Sequence, residues 1–426
     1  EHSHVIRRHS RHARNLEEFE RNLTSALATT ARFGPNKTAV DIGEGNGLLS
    51  RCALINCDWQ GEGREKLPAK VVLKMGSCLP LIALTSSLPK EQNLFRSTTA
   101  AQWEKVEQDV KDMHNTECDS YDVLAKLGHL PAIPKRYYGK AFGDENALSG
   151  QLCMEYVDGA REMHFYEAAT IEQMKQIART LGQLQAASIR SGITSDSIRT
   201  KDVFAEYNKN NPKKKYIRTL GPLKKLEPAL TESVEKVETL LDVYYGSTLP
   251  STIHTQMGLP AVMVHGDVRT ENILVDKQTG DLKAIIDWQC AHFGVGVEDL
   301  LRASFFSQTA EYRRASASIL IEEMYNAFVA NLGTMPAPYT LQQCKDIYSL
   351  LFPHCALYFA IHGLSVVMPA HKPKLGDNEE KRRKYAVIVD KARGVLEDII
   401  TYDEKNKTSK VAVIWNWTAP KNKSHL

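Results

Sequence analysis

The eight cysteines (52, 57, 78, 118, 153, 290, 344 and 355) include no CxxC pair and mostly have apolar neighbours. Neither a zinc site nor a disulfide framework is written into such a pattern; reduced core thiols of a cytosolic protein are expected. An excess of charge of one sign is also missing. Lys and Arg number 54 against 51 Asp and Glu, a net +3 with pI about 8.3, so no nucleic-acid partner is expected. The basic, polar start EHSHVIRRHSRHAR lacks the apolar run of a secretion signal, and a cytoplasmic location is expected. Its first residue is Glu, not Met, which leaves room for an upstream segment. Long stretches without charge are almost absent too. One such stretch, Ile347–Ala370, is free of Lys, Arg, Asp and Glu, and it carries Pro353, His354, His362 and Gly363. Those residues are costly in lipid, so a buried helix and no membrane span are expected.

What is present is ordinary in bulk and specific in one place. With 42% hydrophobic and 25% charged residues over 426 positions, the chain can bury the cores of two domains. The stretch VMVHGDVRTENILVDKQTGDLKAIIDWQ, residues 262–289, alternates apolar runs with polar loops. It reads as strand, loop, strand, turn, strand. Asn272 lies five positions after Asp267, and Asp287 lies fifteen after Asn272, at the end of the last apolar run. An acid five residues before an Asn, with a second acid ending a later strand, is the kinase arrangement of an acceptor-orienting base and two metal-holding side chains. The competing reading is a surface hairpin whose Asp and Asn cap turns.

HGDVRTENIL followed by IIDWQ resembles the HGDxxxxN and IDxx signatures of the aminoglycoside phosphotransferase and choline kinase superfamily. The longer string IIDWQCAHFGVGVEDLLR is similar to its CHK kinase-like branch, which includes ecdysteroid kinase-like proteins of arthropods and a nematode group. The resemblance implies a two-lobed, protein-kinase-like α+β fold, with a small, mainly β N-lobe and a larger, mainly helical C-lobe. It implies Asp267 as base, Asn272 and Asp287 as magnesium ligands, and His265 and Asp299 as braces of the catalytic loop.

Along the chain, residues 1–14 read as a disordered basic tail. Leu16, Phe19, Leu23 and Leu27 mark an amphipathic helix ending near Phe33-Gly34-Pro35. Gly43, Gly45 and Gly47 alternate in a loop whose backbone amides could approach a phosphate. The same DIGEGNG also resembles the first motif of S-adenosylmethionine-dependent methyltransferases, a reading that requires a helix directly afterwards. Here two antiparallel strands are expected, and Lys74, inside Val71–Met75, takes the position of the phosphate-neutralising kinase lysine. A solvent-facing edge lysine is the plain alternative.

A polar helix is expected between Leu94 and Gly128, with Cys118, Tyr121 and Leu124 on its apolar face. The resemblance assigns Glu117 to Lys74, with Glu107 and Glu104 as poorer candidates. It also places an adenine-binding hinge at Glu155, Tyr156 and Val157. Beyond it, Ile171–Ile189 reads as a helix whose TLGQLQAAS carries Gln185 where the family has His. FGVGVEDLLRASF reads as a flexible loop, an acidic pair and a helix; further helices are expected over Glu311–Leu332, Thr340–Val367 and Glu379–Tyr402.

The expected organisation is a tail at 1–14, an N-lobe at 15–156, a C-lobe at 157–402 and a tail at 403–426. The expected activity is Mg-ATP-dependent phosphoryl transfer to a hydroxyl of a small molecule. A nucleotide-binding pseudokinase and, more distantly, a methyltransferase remain as alternatives. Trp288, Tyr358 and Phe359 are candidates for a choline-type cage.

Overall fold

The computed structural model describes residues 16–42, 49–87, 99–146, 149–199, 220–221, 223–244, 247–357, 364, 367–368, 372, 376 and 378–408. Both tails, the glycine loop at 43–47, and Tyr358 and Phe359 lie outside these residues. The chain opens with helix α1 (Leu16–Ala26), strand β1 (Arg32–Phe33) and strand β2 (Thr38–Asp41). Next come β3 (Ser50–Asn56), β4 (Trp59–Gln60), β5 (Lys70–Gly76), α2 (Leu79–Ser87), α3 (Ala100–Leu127), β6 (Arg136–Lys140) and β7 (Gln151–Glu155). Five of these strands form one antiparallel sheet in the order β2-β3-β5-β7-β6. This is the N-lobe of a two-lobed, protein-kinase-like α+β fold.

The period of two along β5 gives its side chains separate tasks. Val71 and Leu73 are buried with Phe19, Phe33 and Trp59 in a core beneath α1. Val72 packs on the opposite side, against the core that contains Tyr121 and Trp288. Lys74 shares that face and is 7% exposed, and β5 lies in the middle of the sheet. The edge-strand alternative for this lysine is thereby excluded.

The opening helix is shorter than its periodicity suggests. It ends at Ala26, Ala28 adopts φ +49°, and Arg32–Phe33 pairs with Trp59–Gln60 as a strand. Phe33 is buried because its ring packs 4.8 Å from that of Trp59, and the helix does not reach it. Helix α2 was not anticipated. The long helix α3 begins with a reciprocal cap, in which Gln102 N–H donates to Thr99 Oγ1 (3.3 Å) and Thr99 N–H to Gln102 Oε1 (2.7 Å).

The second lobe contains β8 (Ala160–Glu162), α4 (Ile171–Ser191), α5 (Thr231–Tyr244), α6 (Leu249–Gln256), β9 (Val262–Val264), β10 (Ile273–Asp276), β11 (Leu282–Ile285) and β12 (His292–Gly294). Helices α7 (Val297–Ser307), α8 (Ala310–Ala330), α9 (Leu341–Cys355) and α10 (Glu379–Thr408) follow among the described residues. The flexible loop expected after Asp287 is a strand instead. His292–Gly294 pairs antiparallel with Val262–Val264, since Val264 and Gly294 are both buried and their backbone groups need partners.

Gly182 lets α4 and α8 touch backbone to backbone: a Cβ there would lie 2.3 Å from the Met324 carbonyl. Lys391, on α10, is fully buried and donates to the carbonyls of Phe165 (2.8 Å), Glu167 (2.5 Å) and Phe306 (2.7 Å), tying the last helix to the lobe. Among the described residues no helix is long and apolar enough to cross a membrane, and all described cysteines are free thiols.

Candidate active site

The two lobes meet at Lys74. Its ammonium lies 2.7 Å from Glu117 Oε2 and 2.5 Å from Asp287 Oδ1, so one buried cation bridges an acid of α3 and an acid of the second lobe. Burial works against the lysine's charge, but Asp287 and Glu117 outweigh it and hold the ammonium well above its ordinary range. Burial would raise the Asp287 carboxyl, yet the neighbouring Lys74 keeps it below its ordinary value. Glu117 is fully buried, and burial pushes it up to about 7 against the opposing pull of Lys74. Asp287 stands two residues beyond β11 with φ +71°, a left-handed conformation that Asp tolerates better than most residues and that is a strain marker of functional sites.

The loop after β9 carries the other acid. Asn272 folds back on it, its Nδ2 donating to the Asp267 carbonyl (2.8 Å) and to Asp267 Oδ2 (3.1 Å). His265 joins the two loops with one ring. Nδ1 accepts the Asp267 amide (3.1 Å), while Nε2 bonds the Ile286 carbonyl (2.9 Å) next to Asp287. An amide can only donate and a carbonyl can only accept, so the ring is neutral with its proton on Nε2. Burial agrees, pushing this imidazole down to about 4. Asp299, near the start of α7, accepts the amides of His265 (2.8 Å) and Gly266 (2.9 Å) through its two oxygens. Gly266 has φ +78° and a virtual Cβ 2.2 Å from the Cys290 carbonyl, so only glycine fits that turn.

Asn272 and Asp287 offer amide and carboxylate oxygens, the hard donors magnesium prefers. Magnesium is ordinarily held by one or two carboxylates together with substrate phosphates and water, not by a complete protein cage. No group of three or more His, Cys, Asp or Glu suited to a metal occurs among the described residues. The oxygen donors of Asn272 and Asp287 fit a metal shared with phosphates.

The structure thus brings Lys74, Glu117, Asp267, Asn272 and Asp287 into one lobe junction. The segment Glu155–Val157 ends β7 on the same sheet, three register steps from Lys74: Glu155 faces Val71, whereas Leu152 faces Lys74. Some of its backbone is already engaged, since Glu155 N–H donates to Lys135 O (2.8 Å) and Ala160 N–H to Val157 O (3.3 Å). Gln185, in the family's His position, is buried; its Oε1 accepts the Tyr339 hydroxyl (2.9 Å). Trp288 is not available for a cage. It is 1% exposed, its ring centroid lies 4.4 Å from that of His265, and its indole N–H donates to Ile285 O (3.2 Å).

Two arginines were not singled out from sequence. Arg269 Nε lies 3.2 Å from Asp267 Oδ2 and its Nη1 3.1 Å from Glu271 Oε2. Arg302 Nη1 lies 3.0 Å from Asp267 Oδ1. The signal for Arg302 was a basic residue on a helix whose every residue, Val297 to Ser307, is buried.

Over residues 13–407 the chain matches the family described as "Uncharacterized oxidoreductase dhs-27". It belongs to that family. A Caenorhabditis elegans protein named "Uncharacterized kinase-like protein D1044.1" is 26% identical over 276 residues, which cover 63% of this chain and 70% of that relative. The C. elegans "Uncharacterized oxidoreductase dhs-27" is 25% identical over 230 residues, 51% of this chain but 27% of that protein. A solved choline kinase from Cryptosporidium parvum aligns with 87% of this chain and 89% of its own at 10% identity and a TM-score of 0.44. The kinase-like resemblance read from HGDVRTEN and IIDWQ stands. The word oxidoreductase in the family description is also the name of a relative of which this chain matches about a quarter, and the folding pattern here is unlike a dinucleotide-binding one. That architecture is a parallel βαβ sheet, whereas every described strand pair in this chain is antiparallel.

Proposed function

We propose that this protein transfers the γ-phosphate of Mg-ATP to a hydroxyl group of a small molecule. The observation that carries the proposal is the Lys74 ammonium held between Glu117 and Asp287, at the junction that also contains Asp267 and Asn272. Phosphoryl transfer needs positioning and charge neutralisation more than covalent participation, and these residues supply both. Lys74 neutralises the nucleotide phosphates, and Glu117 fixes its ammonium. Asn272 and Asp287 would hold magnesium, which when bound neutralises charge on the phosphates. Asp267 orients the acceptor hydroxyl and takes up its proton. His265 and Asp299 hold the loop backbone so that Asp267 keeps its place. Gly43, Gly45 and Gly47 cover the phosphates and Glu155–Val157 receives the adenine; both assignments rest on the family resemblance. Cytoplasmic action on a small-molecule acceptor completes the proposal.

A pseudokinase is the second reading, and the complete set of Lys74, Asp267, Asn272 and Asp287 weighs against it. Thermal shift with Mg-ATP and with S-adenosylmethionine tests the nucleotide. A ligand at a hundred times its Kd stabilises by about 2.7 kcal/mol. A panel of small alcohols, followed by ADP formation, tests the transfer. Asp267→Asn should lower turnover by about 10²–10⁴-fold while Mg-ATP still binds. Asp287→Asn should weaken binding and turnover together. Parental behaviour in both variants would overturn the assignment of this loop.

A further inference from the structure

Behind the catalytic loop four ionisable side chains stand in file. His292 Nε2 lies 3.2 Å from Glu298 Oε2, Arg302 Nε lies 4.0 Å from Glu298 Oε1, and Arg302 Nη1 lies 3.0 Å from Asp267 Oδ1. Glu298 and Arg302 are 0% and 4% exposed and sit one turn apart on α7. A guanidinium this deeply buried needs an anionic partner. Glu298, on its own helix, would serve if packing were all that mattered. The guanidinium instead makes its shorter contact with the loop acid.

Three donors converge on the Asp267 carboxylate. Arg269 (3.2 Å) and Asn272 (3.1 Å) both address Oδ2 and both belong to the loop that carries Asp267, so they move with it. Arg302 reaches Oδ1 from α7, the helix that also supplies Asp299 to the loop's backbone amides. The same turn of helix therefore fixes the loop backbone and grips its acid. Charge-assisted bonds of this kind are shorter and stronger than neutral ones.

On the reading of Asp267 as the acceptor-orienting acid, we propose that Arg302 is a positioning residue that sets the Asp267 carboxylate in its reactive orientation, with Glu298 and His292 backing the guanidinium. A reacting group displaced by about 1 Å can cost on the order of 10²-fold in rate, so the grip acts on turnover and leaves nucleotide affinity alone.

The test uses the full chain carrying Arg302→Met, Arg302→Lys or Arg302→Gln, each alone and combined with Asp267→Asn. ADP formation from Mg-ATP with water as acceptor gives kcat and the KM for ATP, and urea unfolding reports on folding. Arg302→Met should lower kcat by roughly 10–100-fold with KM for ATP unchanged, and Arg302→Lys should recover part of the loss. On the Asp267→Asn background Arg302→Met should have no further effect, because a residue acting through another loses its influence when that partner is gone. If Arg302→Met is recovered unfolded, Arg302→Gln takes its place with the same expectations. A parental kcat in a folded Met or Gln variant would overturn the proposal, as would an equal loss on the Asp267→Asn background. An active parent that is indifferent to Asp267→Asn sinks the reading of the loop itself; an impaired Asp267→Asn beside an unimpaired Arg302→Met sinks only the role of Arg302.

Discussion

Replacing His292 by Asn should flatten the alkaline side of the stability curve. The imidazole is largely buried, and its Nδ1 lies 3.0 Å from the Cys290 carbonyl while Nε2 lies 3.2 Å from Glu298 Oε2. Burial alone would lower its pKa, but the Glu298 charge prevails and raises it from 6.5 to about 9. A proton bound more tightly in the folded than in the unfolded chain stabilises the fold. That stabilisation is complete below pH 6.5, the unfolded value, and is lost as pH rises through about 9. The separation is about 2.5 pH units, and each unit is worth 1.36 kcal/mol, so about 3 kcal/mol is at stake. Urea unfolding of the parent and His292→Asn between pH 6 and pH 10 measures it. The stability gap between the two proteins should narrow by about that amount from pH 6.5 to pH 9. Parallel curves would show that the Glu298 contact does not hold the proton, and the reasoning would fail.

Lys74→Ala should impair ATP use while the chain stays folded, and Glu117→Ala should act in the same direction through Lys74. The double variant should then lose less than the two single losses combined, and full additivity in ADP-formation rates would break the pair. Gly182→Ala should destabilise by about 1–3 kcal/mol through overpacking between α4 and α8, read as a lower urea midpoint. Lys391→Met should cost on the order of 3 kcal/mol, because three carbonyls lose their donor at once. An unchanged midpoint in that variant would show that the carbonyls find other partners.

Four of the polar residues at the lobe junction could be proposed from the chain because their spacing answers to chemistry, whereas Glu117 came from the family resemblance alone. Asp267 and Asn272 share one loop, Asp287 ends the apolar run that positions it, and Lys74 sits in a strand whose period of two is plain. The same local signals gave α3 its apolar face of Cys118, Tyr121 and Leu124. What escaped depended on contacts distant in sequence. The pairing of His292–Gly294 with Val262–Val264 joins segments about thirty positions apart, and no periodicity in FGVG announces it. The first helix was expected to run to Phe33-Gly34-Pro35, where turn residues stop it, although it ends at Ala26 and Phe33 lies on a strand. Trp288 looked available to a ligand because composition cannot tell an aromatic that lines a site from one that underlies it. Arg302 was hidden for the converse reason: its partner, Asp267, lies 35 positions earlier.

The bridge at Lys74 also sets a timetable for synthesis. Glu117 follows Lys74 by 43 positions, but Asp287 follows it by 213. At about 5–20 residues per second, the ribosome delivers the second acid some 10–40 s after the lysine. Until then the finished sheet and α3 can offer the ammonium a single carboxylate, that of Glu117. The nascent N-lobe therefore carries half of the bridge on the face that the helical lobe will cover. That face should stay hydrated and open at least until the IIDW segment emerges, so the cleft can close only once the acids of both lobes are present.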